Sequence, residues 1–326
     1  MLKIIKKIFI IILIFLGILM LYLLFSKYLF ELKDVHSSAP KDTQFVTLKN
    51  GDEIAYQEID NQSSTTIIFV GGLSGWSGTW RRSVEALNHS GLKQKYNMIT
   101  IDVPPFGYST AKLDGDVFLR DKQAERINGF REVKHLDTVI FVAHSYGAGV
   151  TAEAVMQNQE GVKKFVIIDG VLNVGESKVV KTGFVTDHLF IAGSLLGSVI
   201  HIRPAIKNRL QGFVFQKQNI DNDLTDIYMQ SFGVRGTSKK FALWLRDYII
   251  DPLEYKSTKG EEYSKLKMPM RIIWGKEDTL TPVTLGHDLV KYIPTAKLYV
   301  LENVGHIPMI EDYQQFDSAL LKSITE

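Results

Sequence analysis

The hydrophobic positions of this 326-residue chain fall into two patterns, one continuous and one interrupted. Residues 8–25 form a single apolar run without a charged residue. Further along, short apolar runs of strand length alternate with helical stretches, which predicts a mostly parallel sheet with helices on both faces. The predicted strands lie at about residues 66–70, 97–101, 138–143, 164–168, 270–274 and 297–301.

A hairpin is predicted ahead of these strands. Asn50-Gly51 lies between two runs of strand composition at residues 45–48 and 53–56. Asn-Gly favours a tight hairpin because both residues tolerate positive φ angles. We therefore expect an antiparallel pair at the beginning of the sheet.

The continuous run predicts one N-terminal transmembrane helix. As a helix, residues 8–25 would be about 27 Å long, close to the hydrocarbon thickness of a bilayer. A cleaved signal peptide, the alternative, has a shorter core of about 7–15 residues and a small-x-small site, which Ser26-Lys27-Tyr28 does not provide. We expect an uncleaved anchor at residues 1–30 and a linker at 31–42. A chain beginning near Ser37 should then be soluble and active.

The lysines near this run predict its orientation. Lys3, Lys6 and Lys7 precede it, whereas Lys27 and Lys33 follow it. The positive-inside rule favours a single-pass protein of the cell membrane with its N-terminus in the cytoplasm and its remaining domain outside the cell. The absence of cysteine is compatible with export without disulfides.

The strand predicted at residues 138–143 leads into a serine in a sterically restricted setting. Ser145 follows this strand directly, and a helix-like stretch comes after it. The positions two before and two after it, Ala143 and Gly147, are both small. A sharp strand–turn–helix elbow needs small residues there and presents the serine hydroxyl as a nucleophile.

An acid and a histidine follow Ser145 in the chain. Asp278 comes after the strand at 270–274, and His306 lies beyond the strand at 297–301. With this Ser, Asp, His order the chain, from about residue 43 to its end, resembles the α/β-hydrolase superfamily. The resemblance implies an α/β-hydrolase fold and a catalytic triad in which His306 is the general base and Asp278 orients it. Asp169, after the earlier strand at 164–168, is the alternative acid.

Two loops extend the resemblance. Gly71-Gly72-Leu73 follows the strand at 66–70, where the family places its oxyanion loop, with Gly71 replacing the usual histidine. The resemblance implies backbone N–H donors at Leu73 and Tyr146. In a second loop, Asp102 and Ser109 match a family pattern to which we assign a structural role.

The strand–helix alternation stops at residues 171–268, where the family inserts a cap. This divides the hydrolase into a first core part at 43–170, a helical cap at 171–268 and a second core part at 269–326. The apolar run at 189–200 is too short to span a bilayer. It is either a packing surface between cap and core or an apolar wall for an acyl chain.

Composition excludes several other functions. The net charge is +2, and no basic cluster with interleaved aromatic residues supports nucleic-acid binding. No P-loop or dinucleotide-binding glycine pattern occurs, and the histidines are scattered singly. We therefore expect no metal and no cofactor.

Taken together, these features predict a membrane-anchored serine hydrolase of carboxylic esters, with a small-molecule ester or lipid as substrate. The location at a membrane, rather than any pocket residue, favours lipid-like acyl esters. C–C bond hydrolases, acyltransferases and peptidases share the triad and stay open, as does a non-catalytic ligand-binding scaffold. The sequence leaves the oligomeric state undetermined.

Overall fold

A computed structural model describes residues 2–92, 95–113, 115–176 and 183–326 of the protein. Within these residues the chain forms one eight-stranded sheet. Its strands are β1 (Gln44–Thr47), β2 (Glu53–Ile59), β3 (Thr66–Val70), β4 (Asn97–Ile101), β5 (Val139–His144), β6 (Val162–Ile168), β7 (Met270–Gly275) and β8 (Lys297–Leu301).

Helices precede, separate and follow these strands. They are α1 (Leu2–Phe30), α2 (Val35–Ser38), α3 (Arg81–Leu87), α4 (Arg120–Val133), α5 (Tyr146–Gln157), α6 (Phe184–Asp187), α7 (Leu189–Val199), α8 (Arg203–Gln211), α9 (Asn222–Met229), α10 (Thr237–Ile250), α11 (Gly260–Tyr263), α12 (Thr284–Tyr292), α13 (Pro308–Glu311) and α14 (Tyr313–Thr325).

The strand order is β1-β2-β4-β3-β5-β6-β7-β8. Strand β2 is antiparallel to β1 and β4, and the other neighbouring pairs are parallel. The predicted parallel strands and the hairpin are confirmed, and Gly51 occupies the turn with φ 83°. The carboxyl ends of β3, β5, β6, β7 and β8 therefore meet at one edge of the sheet.

The sheet is covered on both faces. In β5, Phe141 belongs to one hydrophobic cluster while Ile140 and Val142 belong to another. Successive side chains of a strand point to opposite faces, so a strand buried on both faces is apolar throughout. This explains the continuous apolar runs by which the sequence predicted these strands.

Helices α6–α11 lie between β6 and β7 in the chain. No strand occurs in the described residues of this segment, and α7 packs on α10. Helices α7 and α8 are bent by 89° relative to each other. We call residues 183–268 the cap.

Helix α1 is long and apolar enough to cross a membrane over Ile4–Phe30. We expected the anchor to lie outside the fold and residues 31–42 to form a linker, but the structure differs at this junction. The end of α1 packs on α7, Ser26 and Glu31 are buried, and Lys33 forms a β-bridge with Val234. Gly197 permits this packing, because a Cβ there would lie 2.9 Å from the Cβ of Lys27.

Candidate active site

Ser145 occupies a strained elbow between β5 and α5. Its φ is 53° and its ψ is −125°, a conformation that a residue with a side chain rarely adopts. The turn requires a small residue at position 147, because a Cβ on Gly147 would lie 2.3 Å from the carbonyl oxygen of Gly71. Such strain costs about 1–3 kcal/mol and is typical of functional sites.

His306 and Asp278 reach Ser145 from the ends of β8 and β7. The Nε2 atom of His306 lies 2.8 Å from the Oγ atom of Ser145. The Nδ1 atom of His306 lies 2.7 Å from the Oδ2 atom of Asp278. All three residues are buried, so the chain of hydrogen bonds is shielded from bulk water. The structure therefore brings together the three side chains that the sequence suggested.

The surroundings of Asp278 favour its ionised form. Burial opposes ionisation, but hydrogen bonds from His306 and Thr281 outweigh it and hold the pKa of Asp278 below its ordinary value. The Thr281 hydroxyl donates to Oδ2 of Asp278 at 2.6 Å, and the backbone N–H groups of Leu280 and Thr281 donate to Oδ1. Thr281 was not among the predicted site residues, although a threonine three positions after the acid is a turn signal.

Asp169 lies close to this acid but has different partners. Its Oδ1 atom accepts the backbone N–H of Gly275 at 2.8 Å. Burial and the negative charge of Asp278 raise its pKa well above the ordinary value. The raised pKa disfavours the ionised form of Asp169, and Nδ1 of His306 is hydrogen-bonded to Asp278 instead, so both observations favour Asp278 as the partner of His306.

The glycine loop after β3 passes directly beside the serine. A Cβ on Gly72 would lie 2.7 Å from the Cβ of Ser145, so only glycine fits there. Leu73 lines the same cavity as Ser145. Tyr146 is the first residue of α5, where backbone N–H groups lack partners within the helix. Both predicted oxyanion donors thus belong to segments that adjoin Ser145.

His144 is a site residue that the sequence analysis missed. Burial, together with the positive charge of His306, lowers its pKa to about 3, so His144 is neutral at physiological pH. Its Nε2 lies 2.7 Å from the backbone carbonyl oxygen of His306, to which it donates. The residue before the nucleophile therefore holds the backbone of the histidine that follows β8.

The cap and α13 also hold His306. The backbone N–H of His306 donates to the carbonyl oxygen of Phe213 in the cap at 2.7 Å. Glu311 is buried and accepts the N–H groups of Gly305 and Gln216, each at 2.6 Å. These contacts join residues far apart in the chain, which is why no local sequence signal indicated them.

The loop after β4 has the structural role that we assigned to it. The carboxylate of Asp102 accepts the backbone N–H and the hydroxyl of Ser77, each at 2.6 Å, and the N–H of Tyr108 at 2.8 Å. The Ser109 hydroxyl donates to the carbonyl oxygen of Asp102 and accepts the N–H of Ala55. Burial raises the pKa of Asp102 to about 6.

A cavity of about 510 Å³ lies above the serine. Its floor contains Ser145 and His306, and its walls are mostly apolar side chains of the cap. The apolar cap residues that line the cavity are Leu196, Val199, Ile200, Ala205, Ile206, Leu210, Phe213, Tyr228, Phe232, Phe241, Trp244 and Leu245. The described residues include no cluster of three or more potential metal ligands.

Sequence comparison agrees with this architecture. Residues 65–192 match a family described as alpha/beta hydrolase fold. The chain is 25% identical to the uncharacterized hydrolase YugF of Bacillus subtilis, over 79% of this chain and 89% of that protein. It is 22% identical to Lipase 3 of a Moraxella species, over 88% of each. It is 23% identical to a 2-hydroxy-6-oxononadienedioate/2-hydroxy-6-oxononatrienedioate hydrolase of Dechloromonas aromatica, over 87% of this chain and 95% of that one.

Solved structures show the same fold. A meta-cleavage product hydrolase from Pseudomonas fluorescens superposes with a TM-score of 0.68 at 19% identity, covering 89% of this chain and 98% of that one. A membrane phospholipase A described as a bacterial virulence factor superposes with a TM-score of 0.65 at 19% identity, over 100% of both chains. The chain therefore has the α/β-hydrolase fold, and its residues 65–192 match the corresponding family.

Proposed function

We propose that this protein is a membrane-anchored serine hydrolase that cleaves carboxylic esters with lipid-like acyl groups. The observation that carries the proposal is the hydrogen-bonded chain Ser145–His306–Asp278 at the floor of an apolar cavity. A serine hydroxyl needs an adjacent base to act as a nucleophile at neutral pH, and His306 is in hydrogen-bonding distance.

The proposed reaction proceeds through an acyl-enzyme. The Oγ atom of Ser145 attacks the ester carbonyl carbon while Nε2 of His306 takes the hydroxyl proton. The backbone N–H groups of Leu73 and Tyr146 stabilise the oxyanion. The intermediate collapses, and the alcohol leaves with the proton from His306. Water then repeats the sequence, with His306 as base, and releases the carboxylic acid and the free serine.

The cavity favours an ester of an apolar acid over the substrate of the C–C hydrolases to which the chain is similar. The substrate for which those hydrolases are named is a dioate and therefore carries two carboxylates. Buried carboxylates need cationic or N–H partners. Among the described lining residues Arg209 is the one lysine or arginine. A similarity to Lipase 3 and to a membrane phospholipase A further supports a lipid-like substrate.

We further propose that α1 remains in the membrane, with the N-terminus in the cytoplasm and the hydrolase outside the cell. Ile4–Phe30 is long and apolar enough to span a membrane, and its residues from Ile4 to Leu21 are all exposed. Retention through a carbonate wash tests the anchor, and protease added to intact cells tests the orientation. Complete protection in intact cells, with digestion after lysis, would reverse the orientation.

The chemical proposal is tested with a fluorophosphonate probe and p-nitrophenyl esters of graded chain length. The full-length protein should be labelled and should prefer medium or long acyl chains. Ser145→Ala should lose both labelling and turnover, whereas Ser90→Ala, on an exposed turn, should keep both. Labelling that persists in Ser145→Ala would overturn the assignment. Turnover of a 2-hydroxy-6-oxo dienoate, with none of esters, would favour C–C chemistry.

A further inference from the structure

Helix α7 of the cap distributes its side chains in reverse of a water-soluble amphipathic helix. Its small residues Ala192, Gly193, Ser194, Gly197 and Ser198 are buried. Its large apolar residues Phe190, Leu195 and Val199 are 51%, 40% and 49% exposed. Small residues inside and large apolar residues outside are the arrangement of helices that pack in lipid.

The residues around α7 extend this surface. No lysine, arginine, aspartate or glutamate occurs at residues 188–202. Phe184 and Val185 on α6 and Ile202 after α7 are 67%, 44% and 40% exposed. We call Phe184, Val185, Phe190, Leu195, Val199 and Ile202 the apolar cap surface. Such a concentration of exposed apolar side chains marks an interaction site.

The contacts of α1 place α7 at the level of the membrane. The Tyr22 hydroxyl donates to the carbonyl oxygen of Ser198 at 3.1 Å, and the Ser194 hydroxyl lies 3.3 Å from the carbonyl oxygen of Leu24. Tyr22 and Leu24 both belong to the uncharged run at residues 8–25. If this run fills the hydrocarbon layer, α7 has to lie in or against the same leaflet.

We infer that the apolar cap surface lies in the outer leaflet of the cell membrane beside α1, so that the cap is a second membrane contact of the protein. The inference rests on the proposed anchoring by α1 and not on the proposed ester chemistry. We assign the bilayer as the partner of this surface because the surface adjoins the end of α1. Residues 4–21 of α1 are mostly apolar and are exposed.

The apolar cap surface also adjoins the cavity that contains Ser145. Val199 belongs to the apolar cap surface and also lines the cavity that contains Ser145, together with its neighbours Leu196 and Ile200. The cavity that contains Ser145 and the proposed lipid contact therefore share a wall at Val199.

The chain contains no cysteine, so single cysteines can be introduced and labelled at chosen positions. Phe190→Cys and Leu195→Cys report on the apolar cap surface. Ile12→Cys reports on the anchor. Leu285→Cys, on α12 and 42% exposed, is the matched control for Leu195→Cys. Each full-length variant is labelled with NBD and reconstituted in phosphatidylethanolamine/phosphatidylglycerol vesicles that contain brominated acyl chains, and its circular dichroism spectrum verifies that it is folded.

We expect NBD at positions 190 and 195 to lose fluorescence to brominated lipid about as strongly as NBD at position 12, and NBD at position 285 to keep it. Quenching at position 12 without quenching at 190 and 195 overturns the inference while leaving the anchor intact. A blue-shifted but unquenched label at position 190, with cross-linking of two copies of the unlabelled Phe190→Cys variant, assigns the surface to a second copy and also overturns the inference. Absence of quenching at position 12 overturns the anchoring itself, and the inference with it.

Discussion

The sheet edge that carries Ser145 and the cap helix α7 use apolar residues in opposite ways. In the strands that lead to this edge, large side chains such as Phe141 are fully buried in the core. In α7, small residues are buried and large ones such as Phe190 are exposed. Hydrophobicity alone therefore does not distinguish a segment of the protein core from one that contacts lipid. The sizes of the buried and exposed side chains distinguish the two.

The three side chains Ser145, His306 and Asp278 also differ from the anchor–cap junction in how well their polar groups are paired. Each step from Ser145 through His306 to Asp278 is a hydrogen bond. At the anchor–cap junction, the hydroxyls of Ser26 and Ser238 are buried with no hydrogen-bond partner in the described residues. We therefore expect substitutions at the sheet edge to affect chemistry and changes at the junction to affect stability.

The largest expected effect belongs to the sheet edge. Asp278→Asn should lower kcat for p-nitrophenyl butyrate by about 10⁴-fold, because asparagine favours the wrong tautomer of His306 and cannot stabilise its imidazolium. Steady-state kinetics measures this, with Asp288→Asn on the exposed face of α12 as control. A near-normal kcat in Asp278→Asn would require another acid, and Asp169 would be the first to examine.

Changes at the anchor–cap junction should lower the free energy of unfolding instead. A chain beginning at Tyr22 keeps Glu31, which accepts the N–H of Ser238 at 2.9 Å and offsets the charge of the buried Lys240. A chain beginning at Ser37 lacks Glu31, and the buried N–H of Ser238, left without its acceptor, costs about 1–3 kcal/mol. Denaturant unfolding in detergent should therefore show the shorter chain to be less stable by roughly this amount.

Glu31→Gln in the full-length chain separates the charge from the packing, since glutamine still accepts a hydrogen bond. It should recover part of the stability that the shorter chain loses. Equal stability of the two shortened chains would contradict our account and restore the expectation that the anchor lies outside the fold.

Sequence patterns predicted the sheet because central strands such as β3 and β5 are almost entirely apolar and because Asn50-Gly51 marks the first turn. Ser145, Asp278 and His306 could be proposed because each follows a strand that ends at one edge of the sheet. The junction of α1 with the cap could not be predicted, since its contacts, such as Tyr22 with Ser198, join residues 176 positions apart. The partners of His306 in the cap were missed for the same reason.

A smaller kinetic effect is expected at His144. His144→Phe removes the N–H that the carbonyl oxygen of His306 accepts, and a buried carbonyl left without a partner costs about 1–3 kcal/mol. If this cost falls on the position of the catalytic histidine, kcat should fall by about 5- to 150-fold. Fluorophosphonate labelling rates and kcat measure the loss, with His89→Phe on an exposed turn as control. Unchanged kcat combined with lower stability would show that His144 is only a packing residue.

The smallest kinetic effect is expected at Asp169. Asp169→Asn replaces a carboxyl group whose burial disfavours its ionised form by an amide of the same shape, so kcat should stay within about threefold of the wild type. The variant should differ from the wild type in how its stability depends on pH. The pKa of Asp169 is raised in the folded state, so the folded protein binds more protons than the unfolded chain at pH values above the ordinary pKa of 3.8. Stability of the wild type therefore falls as pH rises through this window, and the asparagine variant lacks this contribution.

Denaturant unfolding at pH 5 and pH 8 should thus show the difference in stability moving in favour of Asp169→Asn at the higher pH. Asp278→Asn serves as the matched comparison, because the pKa of Asp278 is lowered in the folded state. That carboxylate adds stability above its unfolded pKa, and its loss should make the variant less stable at both pH values. The same slope in wild type and Asp169→Asn would mean that Asp169 is ionised, and the two aspartates would then have to share the charge beside His306.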